Sequence, residues 1–209
     1  MRILIADDHP IVRHGLKQML ASDPSATVVG EATNGDEALE MARKLEWDMA
    51  IFDFTMPGRS GLDLLGDMKK EFPGRPVLIL SMHSEDVHGS RVLRGGAAGY
   101  ITKDSAPQEL ATAVRKVANG GKYVSASLAE ILASECSSDP QKALHEKLSD
   151  REYRVMWLIA SGKQIHEIAK ELFVSPSTVS TYRARILKKL SVATNAELVR
   201  YAIRHRLIA

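Results

Sequence analysis

Five residues have the types and placement to do chemistry together: Asp7, Asp8, Asp53, Ser81 and Lys103. Each stands at or just past the end of a short apolar run. Three carboxylates brought to one place repel each other strongly unless a cation sits among them. Hard oxygen ligands with room for water suit Mg²⁺ best. A lysine and a small hydroxyl facing those carboxylates supply what the oxygens of a transferred phosphoryl group require. Any one of the five reads more readily as a polar strand terminus facing water, but the full set at successive strand ends points to a phosphoryl site.

The elements that position them follow from hydrophobic patterning. Residues 3–6, 27–29, 49–52, 77–80 and 98–101 form short apolar runs, most of them unbroken by polar residues. That is the pattern of strands buried on both faces of a parallel sheet. Between them lie helical patterns at 11–20, 35–45, 62–72, 87–93 and 110–117. Five βα repeats predict an α/β fold, a doubly wound five-stranded parallel sheet, in which ligands bind beyond the carboxyl ends of the strands. Asn34 with Glu37 reads as a helix start, and Ser105 with Gln108 as a capping box.

The chain has 209 residues, of which 44% are hydrophobic and 26% charged, fitting two small globular domains and excluding a disordered chain. The single cysteine, Cys136, excludes an intrachain disulfide and suggests a reducing compartment. No apolar run approaches the roughly 18 residues of a membrane span, so a cytoplasmic protein without a membrane partner is expected. The net charge of +2 hides an asymmetry. Residues 144–209 carry 12 Lys+Arg against 6 Asp+Glu, whereas residues 1–143 carry 16 against 20. A basic end on an acidic body points to nucleic acid or another anionic surface.

The basic end, residues 147–209, shows helical signals only, predicting an all-α four-helix second domain. Ser149 with Glu152 forms a capping box, and Gly162 stops the first helix. Ile165, Ile168, Ala169 and Leu172 mark a short second helix, and Ser175-Pro176 starts a third. Thr194 with Glu197 caps a fourth. In the third helix Val179, Ile186 and Leu190 pack inward, leaving Ser177, Ser180, Thr181, Tyr182, Ala184 and Arg185 outward, with Lys188 and Lys189 extending the positive surface. The pattern suits a helix-turn-helix whose second helix enters the major groove of double-stranded DNA. A protein-binding bundle is the alternative. The pattern loosens between these regions, where 125–133 fits one short helix, so the expected boundaries are 1–118, a partly helical linker at 119–146, and 147–209.

The ordered motifs carry a family resemblance. "DDHP", "D-x-x-M-P-G" at 53–58, Ser81 after its apolar strand and "GAAGYITK" at 96–103 resemble a response-regulator receiver domain. "LSDRE" with "GKQIHEIAKELFVSPSTVSTYRARILKKL" resembles the LuxR-type helix-turn-helix, and together they resemble the NarL/FixJ family. The resemblance implies that Asp53 accepts a phosphoryl group from a sensor histidine kinase. It implies Asp8 as a direct Mg²⁺ ligand, Asp7 acting through water and the Thr55 carbonyl completing the protein ligands. Lys103 and Ser81 would contact the phosphoryl oxygens, and Tyr100 would swing inward as Ser81 moves. Arg183 would contact DNA phosphate, and the helix after Thr194 would make a homodimer on DNA through Ala196, Val199, Ala202 and Ile203.

Departures from the family pattern are visible. Asp104 stands where many receivers have proline, and Ser180 and Tyr182 stand where many relatives carry lysine and histidine. Base preference is therefore expected to rest on Thr181, Tyr182 and Arg185. Thr55 and His83 border the expected water route to the acyl phosphate, and His83 is expected to affect phosphoryl lifetime. Two rivals remain: an aspartyl-phosphate hydrolase of the haloacid-dehalogenase type, and a regulator working through protein contacts without phosphorylation. The hydrolase's nucleophile opens a D-x-D motif on the first strand, whereas here Asp53 follows the third run.

Overall fold

The computed structural model describes residues 1–57, 59–82, 85–137, 144–205 and 207–208. The chain divides into two compact units, Met1–Ala133 and Ser134–Ala209. In the first, strands β1 (Arg2–Ala6), β2 (Thr27–Ala32), β3 (Met49–Asp53), β4 (Val77–Ser81) and β5 (Gly99–Thr102) alternate with helices α1 (Pro10–Ala21), α2 (Gly35–Lys44), α3 (Gly61–Glu71), α4 (Glu85–Arg94) and α5 (Ala106–Ala118). All strand pairs are parallel, in the order β2-β1-β3-β4-β5. The predicted α/β architecture is what the chain adopts.

The unbroken apolar runs explain that order. Every residue of β3 and β4 is buried, as central strands covered on both faces require, whereas the edge strand β2 is mostly half-buried. One sheet face is sealed by a cluster including Leu4, Ala50, Phe52, Ile79 and Tyr100, the other by one including Ile3, Ile5, Ile51, Leu78 and Leu80. Alternate residues of one strand thus supply opposite cores, the period of two expected of a strand.

Helix starts follow the capping signals with one exception. Asn34 accepts from the Glu37 amide, and Ser60 with Asp63 forms a full capping box at α3. The capping box expected at Ser105 is absent, and the reason is local. Ser105 has helical backbone angles, and its side chain and amide are engaged with Thr102 instead.

The segment read as a linker, 119–146, is only partly one. Tyr123 donates its amide to the Ala98 carbonyl at 2.8 Å, and a further helix, α6 (Ala126–Ser137), follows. Leu128 of α6 is fully buried within the same apolar cluster as Tyr100. Val124, Ile131 and Leu132 pack against that cluster too, and the first compact unit runs on to Ala133.

The second unit continues through a 3₁₀ turn (Leu144–Lys147), α7 (Asp150–Ala160), α8 (Ile165–Glu171), α9 (Pro176–Leu190) and α10 (Asn195–Arg204). Ser149 and Glu152 make the expected capping box, and Ser175 and Thr194 cap α9 and α10. Val155, Met156, Ile168, Val179, Ile186 and Leu198 meet in a core of their own. Among the described residues, no helix is long and apolar enough to cross a membrane.

Candidate phosphoryl-acceptor site and helix-turn-helix surface

The sheet brings the predicted pocket residues together at the carboxyl ends of β1, β3, β4 and β5. Asp7 and Asp53 are 0% and 2% exposed, so two carboxylates sit almost entirely out of water. Lys103 holds them. Its Nζ lies 2.7 Å from Asp7 Oδ2 and 3.0 Å from Asp53 Oδ2. Its backbone amide donates to the Ser81 carbonyl at 2.7 Å, continuing the β4–β5 ladder past Thr102 and fixing where the lysine leaves the sheet. Ser81 is itself fully buried at the end of β4.

Electrostatics follow from this burial. Desolvation pushes the Asp53 carboxyl up to about 6; the charge of Lys103 opposes that rise and the charge of Asp7 adds to it. Burial pulls Lys103 down, but its contacts with Asp7 and Asp53 outweigh that, so the ammonium titrates above its ordinary value. The pocket therefore holds a firmly charged cation beside an acid that gains a proton readily in the metal-free protein.

The loop after Asp53 is shaped by close approaches. The Thr55 amide donates to Asp53 Oδ1 at 3.2 Å, and the Phe54 amide donates to the Leu80 carbonyl at 2.7 Å. Gly61 begins α3 against this loop: a Cβ there would lie 2.2 Å from the Asp53 carbonyl oxygen, so only glycine fits.

The carboxylates of Asp7, Asp8 and Asp53 are oxygen donors of the kind a hard divalent ion takes, and His9 stands beside them. One ligand atom from each of Asp7, Asp8, His9 and Asp53 falls within 4.8 Å of all the others. His9 is the member that sequence reasoning missed. Its Nδ1 lies 2.8 Å from Asp8 Oδ1 and 3.3 Å from Asp7 Oδ1, and its amide donates to Asp7 Oδ1 at 2.8 Å. The signal was its place directly after the two aspartates in "DDHP".

One expectation changes here. Tyr100 is already fully buried, in the cluster with Phe52, Ile79 and Val92, so no inward swing is left to make from this conformation. The link from Lys103 to Asp104 is an ordinary trans peptide; among the described residues no peptide bond is cis. His83 lies outside the described residues.

In the second unit α8, a turn and α9 form the expected helix-turn-helix. Ser177, Ser180, Thr181, Arg185, Lys188 and Lys189 are exposed along α9, while Tyr182 and Arg183 are half-buried. Tyr182 packs against the apolar core, and Arg183 Nε donates to Asn195 Oδ1 at 2.6 Å. Lys189 is turned to its own domain: its Nζ lies 2.5 Å from Glu152 Oε2, a carboxylate 4% exposed. Expected as a free phosphate contact, its charge is instead taken by the capping-box glutamate. Arg185 and Lys188 make no ion pair among the described residues.

Helix α10 corrects one interface residue. Ala196 is exposed, Val199 half-buried and Ile203 55% exposed, giving a stripe at spacing three and four. Ala202 is fully buried beside Leu198 in the domain core, so it is not available to a partner. The turn before α9 carries a further feature: Phe173 is 71% exposed and has φ of 52°, a left-handed conformation that L side chains rarely adopt.

Comparison with known proteins agrees with this geometry. Residues 3–115 match the response regulator receiver domain, and residues 146–202 match the bacterial regulatory proteins of the luxR family. The chain is 34% identical to the response regulator UvrY of Escherichia coli K12, over 99% of this chain and 95% of that protein. It is 36% identical to the response regulator GacA of Pseudomonas aeruginosa, over 100% of this chain and 98% of that protein. Among solved structures, RcsB of Salmonella typhimurium superposes with a TM-score of 0.73 at 29% identity, covering 98% of each chain. RcsB of Salmonella enterica serovar Typhimurium, bound to the promoter rprA in the presence of phosphomimetic BeF3-, gives 0.68 at 30% identity, over 96% of this chain and 98% of that one. The chain belongs to the NarL/FixJ family of two-component response regulators, a receiver domain joined to a LuxR-type helix-turn-helix.

Proposed function

We propose that Asp53 accepts a phosphoryl group from the phosphohistidine of a sensor kinase, and that this controls binding of α9 to DNA and hence transcription. The observation that carries the reading is Lys103 Nζ held between the buried carboxylates of Asp7 and Asp53. An Asp53 oxygen attacks phosphorus, the bond from phosphorus to the histidine nitrogen breaks, and the nitrogen keeps the electron pair. Lys103 pairs with the oxygens of the transferred group, and the Ser81 hydroxyl donates to another. Asp8, Asp53 and the Thr55 carbonyl would hold Mg²⁺, with Asp7 acting through water. When bound, the ion screens the repulsion between a carboxylate and an anionic phosphoryl group.

The DNA-facing residues follow from exposure. Ser177, Ser180, Thr181 and Arg185 face outward toward base edges or phosphates, and Lys188 adds sequence-independent attraction. UvrY and GacA are response regulators over the same length, and RcsB was solved on promoter DNA. We assign to this chain the same kind of partner, with two copies on DNA contacting through Ala196, Val199 and Ile203, acting in the cytoplasm. We read the protein as a phosphoacceptor rather than a turnover enzyme, because Asp53 ends the third strand, whereas the hydrolase's nucleophile opens a D-x-D motif on the first.

Acetyl phosphate with Mg²⁺ tests this. One phosphoryl group per chain, absent in Asp53→Asn, is expected. Many turnovers on small phosphomonoesters would instead identify a hydrolase, and unchanged DNA affinity on labelling would identify a phosphorylation-independent regulator.

A further inference from the structure

His9 caps the start of α1, yet its side chain does none of the usual work of that place. A serine, threonine, aspartate or asparagine there accepts a hydrogen bond from an amide of the first turn. The His9 side chain makes no such bond to the described residues, although its carbonyl accepts from the Arg13 amide at 3.2 Å. Its backbone is pinned toward the phosphoryl pocket instead. The His9 amide donates to Asp7 Oδ1 at 2.8 Å, and Arg13 Nη1 donates to the Asp7 carbonyl at 2.6 Å. With the backbone so fixed, the ring stands beside the carboxylates: Nδ1 lies 2.8 Å from Asp8 Oδ1 and 3.3 Å from Asp7 Oδ1.

The close approach of His9 to Asp8 is not a hydrogen bond. Asp8 Oδ1 is a buried atom with no hydrogen-bond partner among the described residues, so the in-plane direction of Nδ1 does not run to it. Two donor atoms side by side at 2.8 Å, each keeping its lone pair for a third party, are placed as neighbouring ligands of one ion. Neighbouring ligands of an octahedral ion at about 2.1 Å stand about 3 Å apart, and opposite ones about 4 Å. The two His9 distances straddle the first figure, and the donor atoms of Asp7, Asp8, His9 and Asp53 all lie within 4.8 Å of one another. A buried oxygen without a hydrogen bond is stabilised by a cation beside it. A ring nitrogen next to that oxygen then selects among cations. Mg²⁺ takes oxygen ligands, whereas imidazole suits first-row transition ions.

We propose that His9 Nδ1 is a ligand of the divalent ion in the phosphoryl pocket and tilts the site from Mg²⁺ toward first-row transition ions; this rests on the phosphoacceptor reading above. Asp8, Asp53 and the Thr55 carbonyl offer only oxygen, which serves Mg²⁺ and Mn²⁺ alike. His9 adds the one donor that tells the ions apart. Affinity at a site with nitrogen among its ligands rises from Mn²⁺ to Co²⁺, so the contribution of His9 grows along the same series. The ring costs the fold nothing in this role, since its side chain is 64% exposed and caps no amide.

Calorimetric titration of the full chain with the chlorides of Mg²⁺, Mn²⁺ and Co²⁺, in wild type and His9→Ala, tests the assignment. His9→Ala is expected to weaken Co²⁺ binding by about ten-fold or more and to leave Mg²⁺ binding nearly unchanged. Even groups that only hydrogen-bond to a metal ligand are worth about 10–100-fold in affinity. Pulsed electron paramagnetic resonance of bound Mn²⁺ reads the ligand itself. A nitrogen coupling that changes when histidine is labelled with ¹⁵N, and that disappears in His9→Ala, is expected. Bound Mn²⁺ without such a coupling overturns the role of His9, as do equal losses of Mg²⁺ and Co²⁺ affinity in the variant. Either result leaves the phosphoacceptor reading standing, because the carboxylates still hold the ion. Failure of all three ions to bind overturns both.

Discussion

Lys103 Nζ lies 3.0 Å from Asp53 Oδ2 although β5, which delivers the lysine, and β3, which delivers the aspartate, are separated in the sheet by β4. The long side chain reaches past the end of β4, so one ammonium bridges carboxylates that follow β1 and end β3. This geometry ties the electrostatics of the site to the stability of the receiver.

Replacing Asp53 by Asn is expected to stabilise the metal-free protein at pH 7.5. The native carboxyl titrates at about 6, above its unfolded value near 4, so the native state binds more protons between those values and stability falls as pH rises through them. Removing the acid removes that loss, about 3 kcal/mol at most. Urea unfolding in chelator should show the gain at pH 7.5 and its disappearance below pH 4. Equal stability at pH 7.5 would contradict burial as the main influence on this carboxyl.

Lys103→Ala leaves Asp7 and Asp53 facing each other without the shared cation. Breaking a buried pair by deleting one partner costs about 3–5 kcal/mol. Thermal unfolding at pH 7.5 should show a loss of that order, partly restored by millimolar Mg²⁺. A loss that Mg²⁺ leaves untouched would argue against a cation among these carboxylates.

Phe173→Gly is expected to stabilise the second unit. A left-handed conformation costs a residue with a Cβ about 1–2 kcal/mol, and an aromatic ring 71% exposed recovers little by packing. Chemical denaturation should show a gain of about 1 kcal/mol. Destabilisation would mean that the ring contributes packing that its exposure conceals.

Lys188 and Lys189 are adjacent but should behave differently. Lys188→Ala is expected to weaken binding about equally on all DNA sequences and to flatten the salt dependence by roughly one unit. Lys189→Ala strips the partner from Glu152, whose carboxyl sits below its usual range because hydrogen bonds from Lys189 and Ser149 overcome its desolvation. Its main effect should be on stability, about 1–3 kcal/mol. Titrations in a salt series beside thermal unfolding separate the two.

Much of the fold was legible because the apolar runs are continuous: 49–52 and 77–80 have only one plausible home, the middle of a parallel sheet. The pocket was legible for the same reason, since strand ends fix where Asp7, Asp53, Ser81 and Lys103 emerge. What escaped depends on partners distant in sequence. Glu152 and Lys189 are 37 residues apart, and nothing local announces that one takes the other's charge. Leu128 is buried by Gly89, which a linear pattern shows only as a helix-weakening glycine. Ala202 stands beside Ile203 in sequence, yet it lies one turn after Leu198 on the face that enters the core. The failed capping box at Ser105 shows a neighbouring hydroxyl, Thr102, winning the competition for that side chain.

The affinity of the full chain for its DNA target, measured before and after acetyl-phosphate labelling with Mg²⁺ in wild type and in Asp53→Asn, probes the link between pocket and recognition helix most directly. A tightening of at least ten-fold in wild type, absent in Asp53→Asn, is expected. Equal affinity of labelled and unlabelled wild-type protein would contradict control of DNA binding through Asp53.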